Sequence, residues 1–359
     1  MVDRGRARVC RHGRRPRRAG RHWSHSGAIT ARRLEDGDPL WSQPAVDADP
    51  SKQHFTGGLA IQASLDGSAD VVFVAETVRQ LPFNPTATGS LSAYAASDGH
   101  LLWRSQIGSF GQVTVDNGRV FARVRRNVGD SSDFSAIVAF DAASGTELFR
   151  IATTSSVFAI AGETLFVPTE TDLIAYPTHS CGTSCPSRWT APLLSTQGSI
   201  PGIVAAGGRV FVGMTGGLEV FAAAGCGTTV CAALWRAAGP ADQLAVAEGR
   251  VYATANWVRS DRAPMLVFDA AGCGAAQCAP IWSTAADLLG PPSVANGIVY
   301  VAQHGTSFRA WSADGCGAAQ CDPIWTMSGS YPGNPTVLIA DSRVLVASVD
   351  LDVFGLAHG

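Results

Sequence analysis

Apolar and polar positions alternate along this chain in short runs separated by turn residues. The commonest unit is an apolar strand, a turn with Gly or Asp, and a second apolar strand: VTVDNGRVFARV (113–124), FAIAGETLFVPT (158–169), IVAAGGRVFVGM (203–214), LAVAEGRVYATA (244–255), PSVANGIVYVAQ (292–303) and VLIADSRVLVAS (337–348). A looser copy spans 59–76. Period-two alternation bounded by turn residues predicts antiparallel hairpins. The second strand of each opens on Val72, Val120, Leu165, Val210, Val251, Val299 or Val344, in steps of 48, 45, 45, 41, 48 and 45.

Two further patterns follow the same period. A third strand closes on a small-residue turn, as in AIVAFDAASG (136–145), MLVFDAAGCG (265–274) and FRAWSADGCG (308–317). A fourth ends on an aromatic residue: Trp103, Phe149, Trp189, Trp235, Trp282 and Trp325. The seventh repeat stops at Gly359 without one, while LEDGDPLW (34–41) carries Trp41 ahead of the first. Four short strands per repeat at this period predict an all-β protein, a β-propeller of seven four-stranded blades. The last blade is expected to be closed by the N-terminal strand, which leaves no open sheet edge. The fourth-strand aromatics are read as core that packs on the neighbouring blade.

Composition agrees: hydrophobic residues make up 46% and charged residues 16%, with 39 Gly and 19 Pro, which suits short strands and turns. Residues 1–33 hold eleven arginines and one acid, so the rest keeps 16 of the 27 basic and 28 of the 29 acidic residues. An acidic body argues against nucleic acid as partner, because clustered positive charge supplies most of that affinity. The Arg-rich head, 1–33, lacks the apolar run of a secretory signal and is expected to be disordered, an over-extended start ahead of one propeller domain at 34–359. No stretch approaches the length of a transmembrane helix, and a monomer is expected.

Eight of the nine cysteines fall between the third and fourth strands: Cys181 and Cys185, Cys226 and Cys231, Cys273 and Cys278, Cys316 and Cys321. Each pair spans one hairpin mouth, where the two Cβ atoms can reach disulfide distance. Zinc needs about four ligands at one point, and pairs on separate blades do not converge; only Cys181 has a histidine, His179, beside it. The disulfide reading places the protein outside the cell or in the cell envelope, where such bonds persist.

GRVFARV with AIVAFDAASGTELF, and GRVYATA with MLVFDAAGCGAAQCAPIW, resemble the pyrroloquinoline-quinone-type (PQQ-like) propeller repeat over residues 34–359. The resemblance implies the fold and leaves function open, since the family includes quinone-dependent dehydrogenases, a propeller lipoprotein of outer-membrane protein assembly and exported proteins of other roles. The dehydrogenases use a disulfide between adjacent cysteines, calcium and an aspartate base. This chain has no Cys-Cys dipeptide, so no catalytic, cofactor-binding or metal residue carries over. G-x-S-x-G, phosphate-loop and H-E-x-x-H patterns are also missing.

Three connections between second and third strands are long: 76–90, 123–134 and 255–264. They bring Arg79, Phe83, Arg125, Arg126, Trp257, Arg259 and Arg262 to one face, and Arg and Trp are favoured at interaction hot spots. These loops read either as a binding surface or as solvated insertions. The expected function is a non-catalytic, exported binding or scaffold module for a protein or polymer, with no cofactor. The alternative is a quinone-dependent oxidoreductase, with Glu76 and Glu170 holding calcium beside PQQ.

Overall fold

A computed structural model of the 359-residue chain describes residues 28–33, 38–44, 52–63, 70–80, 88–106, 109–126, 134–179, 181, 185–194, 202–255, 263–285, 290–303, 307–328, 336–340, 343–347 and 351–355. Every regular element among them is a β-strand.

The strands form sheets that fall on the sequence repeats, and strands A to D of each follow chain order. Sheet 1 is Lys52–Gln62, Val71–Gln80, Thr88–Ala95 and Leu101–Gln106; sheet 2 is Ser109–Asp116, Arg119–Arg126, Phe134–Asp141 and Glu147–Ala152. Sheet 3 is Ala159–Ala161, Thr164–Pro168, Asp172–Pro177 and Trp189–Pro192, and sheet 4 is Gly202–Ala206, Arg209–Met214, Gly217–Ala222 and Trp235–Ala238. Sheet 5 is Gln243–Ala247, Arg250–Thr254, Leu266–Asp269 and Trp282–Thr284; sheet 6 is Pro292–Ala295, Ile298–Gln303, Ser307–Ser312 and Trp325–Ser328. Sheet 7 has three strands among the described residues, Thr336–Ala340, Arg343–Ala347 and Leu351–Gly355.

Closure by the N-terminal strand is corrected by the pairing. Strand Pro39–Pro44, which carries Trp41, pairs with Ala28–Arg32 in a separate two-stranded sheet. The sequence explains this, because AITARRLEDGDPLW (28–41) aligns position for position with AIVAFDAASGTELF (136–149). It is a complete C–D hairpin, and the antiparallel partner nearest in sequence is the one it takes. Ala28–Arg32 therefore lies as a strand inside the head that was expected to be disordered.

Packing divides the described chain into two compact units, one with residues 28–163 and 176–187, the other with 164–175 and 188–355. In the first, Phe73, Leu91 and Ala93 of sheet 1 meet Val113, Val120 and Val138 of sheet 2. In the second, Phe211 and Val220 of sheet 4 pack with Val251 and Phe268 of sheet 5, while Tyr252 and Val267 of sheet 5 pack with Val299 and Trp311 of sheet 6. Strands B and C are covered on both faces, so Val210–Met214 and Gly217–Phe221 are buried without a break and are apolar apart from Glu219.

The A–B turns explain one sequence signal. Asn117 and Gly118, Glu248 and Gly249, and Asn296 and Gly297 all have positive φ, the geometry of a two-residue hairpin turn that matches strand twist.

Candidate functional site

Two insertions at the B–C end prove to be longer hairpins. Strands A and B of sheet 1 have 11 and 10 residues and strands B and C of sheet 2 have 8 each, against 5, 6 and 6 for strands A to C of sheet 4. Arg79, Arg125 and Arg126, expected in loops, belong to the ends of B strands, with Arg79 opposite Gln53 and Arg125 opposite Ser109 and Ser135. Their side chains lie outside the described residues, as do Phe83, Trp257, Arg259 and Arg262.

At the B–C end of sheet 4 the described polar groups serve the fold. The buried Glu219 accepts hydrogen bonds from the Leu194 N–H at 2.7 Å and from Arg236 Nε at 2.9 Å. Thr215 donates its hydroxyl to the buried Asp242 at 3.0 Å.

The four cysteine pairs form disulfides as expected: Cys181–Cys185, Cys226–Cys231, Cys273–Cys278 and Cys316–Cys321. Three of these rings do more than close a hairpin. The ring of sheet 4 lies along strand D of sheet 3, where Thr190 N–H donates to Thr229 O and Cys231 N–H donates to Thr190 O. On strand D of sheet 4, Arg236 N–H donates to Ala276 O and receives Cys278 N–H on its own carbonyl. On strand D of sheet 5, Gln320–Cys321 pairs in parallel with Ser283 and Thr284 and counts as a fifth strand. Each ring thus satisfies the outward N–H and C=O of the residue after the strand-D tryptophan. Cys231, Cys278 and Cys321 are buried by this contact, while Cys226, Cys273 and Cys316 stay exposed. This second role is legible only in the segments TTV and AAQ between the cysteines, which are uncharged and small enough to lie flat on a neighbouring strand.

Tryptophans lock these three junctions and two others. Trp41, Trp103, Trp189, Trp235 and Trp282 cover Gly99, Gly145, Gly225, Gly272 and Gly315 so closely that a Cβ there would sit 2.4–2.9 Å from the indole. All five glycines have φ between +71° and +90°, which disfavours any other residue. Trp41 and Trp103 also donate Nε1–H to Ala96 O and Ala142 O. These aromatics are structural, as their spacing implied.

Glu76 is buried within strand Val71–Gln80, Glu170 is exposed in the turn after Thr164–Pro168, and no three His, Cys, Asp or Glu gather among the described residues. No helix among them is long and apolar enough to cross a membrane.

The family model described as outer membrane protein assembly factor BamB matches residues 25–233. The chain belongs to this PQQ-like repeat family. Among solved structures it is similar to BamB from Moraxella catarrhalis, with a TM-score of 0.61 and 14% identity over 93% of this chain and 92% of that one. It is also similar to a functionally unknown protein from Desulfotomaculum acetoxidans DSM 771, with a TM-score of 0.52 and 9% identity over 93% and 98% of the two chains. At these identities the likeness shows the fold, a β-propeller. No curated protein matches the sequence.

Proposed function

We propose that this protein is a non-catalytic, exported β-propeller that binds a protein partner at the B–C end of its sheets. Membership in a family described as an outer membrane protein assembly factor carries the reading. The lengthened B–C hairpins of sheets 1 and 2 support it, because binding residues concentrate on connections held by a rigid scaffold. Four disulfides favour an oxidising compartment, the cell envelope or beyond.

The test is a photo-crosslinking amino acid placed at Phe83 or at Trp257 in the native host, with envelope and cytosol fractions analysed separately. The expected result is a discrete adduct of one partner in the envelope fraction, lost when Arg125, Arg126 and Arg259 are replaced by Ala. Adducts that are indifferent to those substitutions, or a protein confined to the cytosol with alkylatable thiols, would overturn it.

A further inference from the structure

The internal repeat allows two junctions between neighbouring sheets to be compared residue by residue. Between sheets 5 and 6, Glu248 of an A–B turn accepts from the Gly297 N–H at 3.1 Å. Arg250, the first residue of strand B, places Nη1 2.8 Å from the Asp314 carboxylate in the C–D turn of sheet 6. Two carboxylates thus tie that junction. Aligning IVAAGGRVF with LAVAEGRVY, and VFDAAGCG with AWSADGCG, puts Gly207 in the place of Glu248, Arg209 in that of Arg250 and Ala271 in that of Asp314. Gly249 likewise takes the place of Gly297.

Between sheets 4 and 5 the guanidinium is therefore kept and both carboxylates are gone. A groove of about 630 Å³ opens there, lined by Gly207, Arg209, Phe211, Gly249, Ala271 and Ile281. Arg209 Nε is buried with no hydrogen-bond partner, and a buried donor left unsatisfied is unfavourable. Two acids also stand on the wall: Glu248, whose Oε1 accepts from the Gly297 N–H, and Asp269, whose Oδ1 accepts from the Ala271 N–H at 2.7 Å. Among the described residues no side chain accepts from the Gly249 N–H. Phe211 and the half-exposed Ile281 supply apolar walls beside the cation.

We propose that this groove is a binding site for a carboxylate on a short apolar stem, seated on the Arg209 guanidinium with the Gly249 N–H as second donor. Guanidinium and carboxylate match in charge and in fork geometry, and the next junction of the same chain shows the pairing. A free dicarboxylic acid and a glutamate side chain of a polypeptide offer the same chemistry. The site lies at the A–B turns, away from the B–C connections, and does not depend on the partner reading above.

Glutarate and the peptide acetyl-Ala-Glu-Ala-amide, titrated separately into the ¹⁵N-labelled full chain, test this through the Arg209 Nε–H and Gly249 amide signals. A saturable shift of both signals is expected with at least one probe, and the tighter probe tells free acid from side chain. Ala271→Asp installs the acid that the next junction carries and should weaken binding at least tenfold while the fold is retained. Arg209→Gln should do the same, and it decides the matter if Ala271→Asp unfolds. No saturable shift with either probe, or undiminished binding to these variants, overturns the proposal.

Discussion

Trp103 of sheet 1 lies against Gly145 in the tight turn DAASG, whereas Trp282 of sheet 5 lies against Gly315 at the head of a disulfide ring. The lock is common and the covering of the strand edge differs. Past Gly315 the ring runs back along strand D of sheet 5 and pairs with it. Past Gly145 the chain enters Glu147–Ala152 at once, and among the described residues nothing pairs with the outer edge of Leu101–Gln106. That edge instead carries Arg104, whose guanidinium bonds Ser92 Oγ and Tyr94 OH of its own sheet. An open strand edge invites pairing with other chains, and a charged side chain on it is one protection. The chain thus guards equivalent edges by charge in one region and by a covalently closed cap in the other.

If the Trp–Gly lock is common to both regions, breaking it should be equally damaging in each. Trp103→Ala and Trp282→Ala each remove a large aromatic side chain from a junction and should cost about 3–5 kcal/mol. Denaturant unfolding of the two variants checks this. A loss at Trp282 much smaller than at Trp103 would mean that the disulfide ring holds its junction without the indole.

Removing one ring should separate the regions. Cys273→Ser with Cys278→Ser opens a six-residue ring, and closing so short a loop is worth about 2 kcal/mol. The distinctive expectation is local: hydrogen exchange at the backbone amides of positions 236 and 278 should speed up, since each donates across this junction, while exchange at sheets 1 and 2 stays unchanged. Retained protection at Arg236 would show that the AAQ segment stays docked without its disulfide.

Much of this comparison was legible in the sequence. Periodic Val and Trp positions located the sheets because strands B and C are buried on both faces, which forces apolar runs at fixed spacing. Paired cysteines five residues apart, such as Cys273 and Cys278, announced hairpin rings through geometry alone. The parallel pairing of Gln320 and Cys321 with the preceding sheet was hidden, since hydrogen bonding through backbone leaves little trace in side-chain identity. The hairpin at 28–44 was hidden for another reason: Arg32 and Arg33 stand where its best-matched copy has Phe140 and Asp141, so the apolar pattern fails although the register holds. The groove at Arg209 shows only when repeats are compared, because what marks it is Ala271 where a sister repeat has Asp314.

The smallest expected effect lies in the DAASG turn itself. Asp141 Oδ1 accepts from the Ser144 hydroxyl and N–H, both at 2.8 Å, and from the Ala143 N–H at 3.2 Å. Hydrogen bonds from Ser144 hold its carboxyl below the ordinary value of 3.8. A carboxylate whose pKa is lower in the folded state binds fewer protons there than in the unfolded chain, so folding gains from the ionised form. That gain is present above the unfolded value of about 3.8 and fades as pH falls through the lower folded value. Asp141→Ala should cost about 1 kcal/mol at neutral pH and progressively less under acid, whereas the Cys273 and Cys278 double variant should lose the same stability at both pH values. Unfolding midpoints of the two variants at pH 7 and pH 3 make the comparison. A cost for Asp141→Ala that did not shrink at low pH would mean that the turn is held by its glycine and backbone alone, and that the carboxylate is only a solvated neighbour.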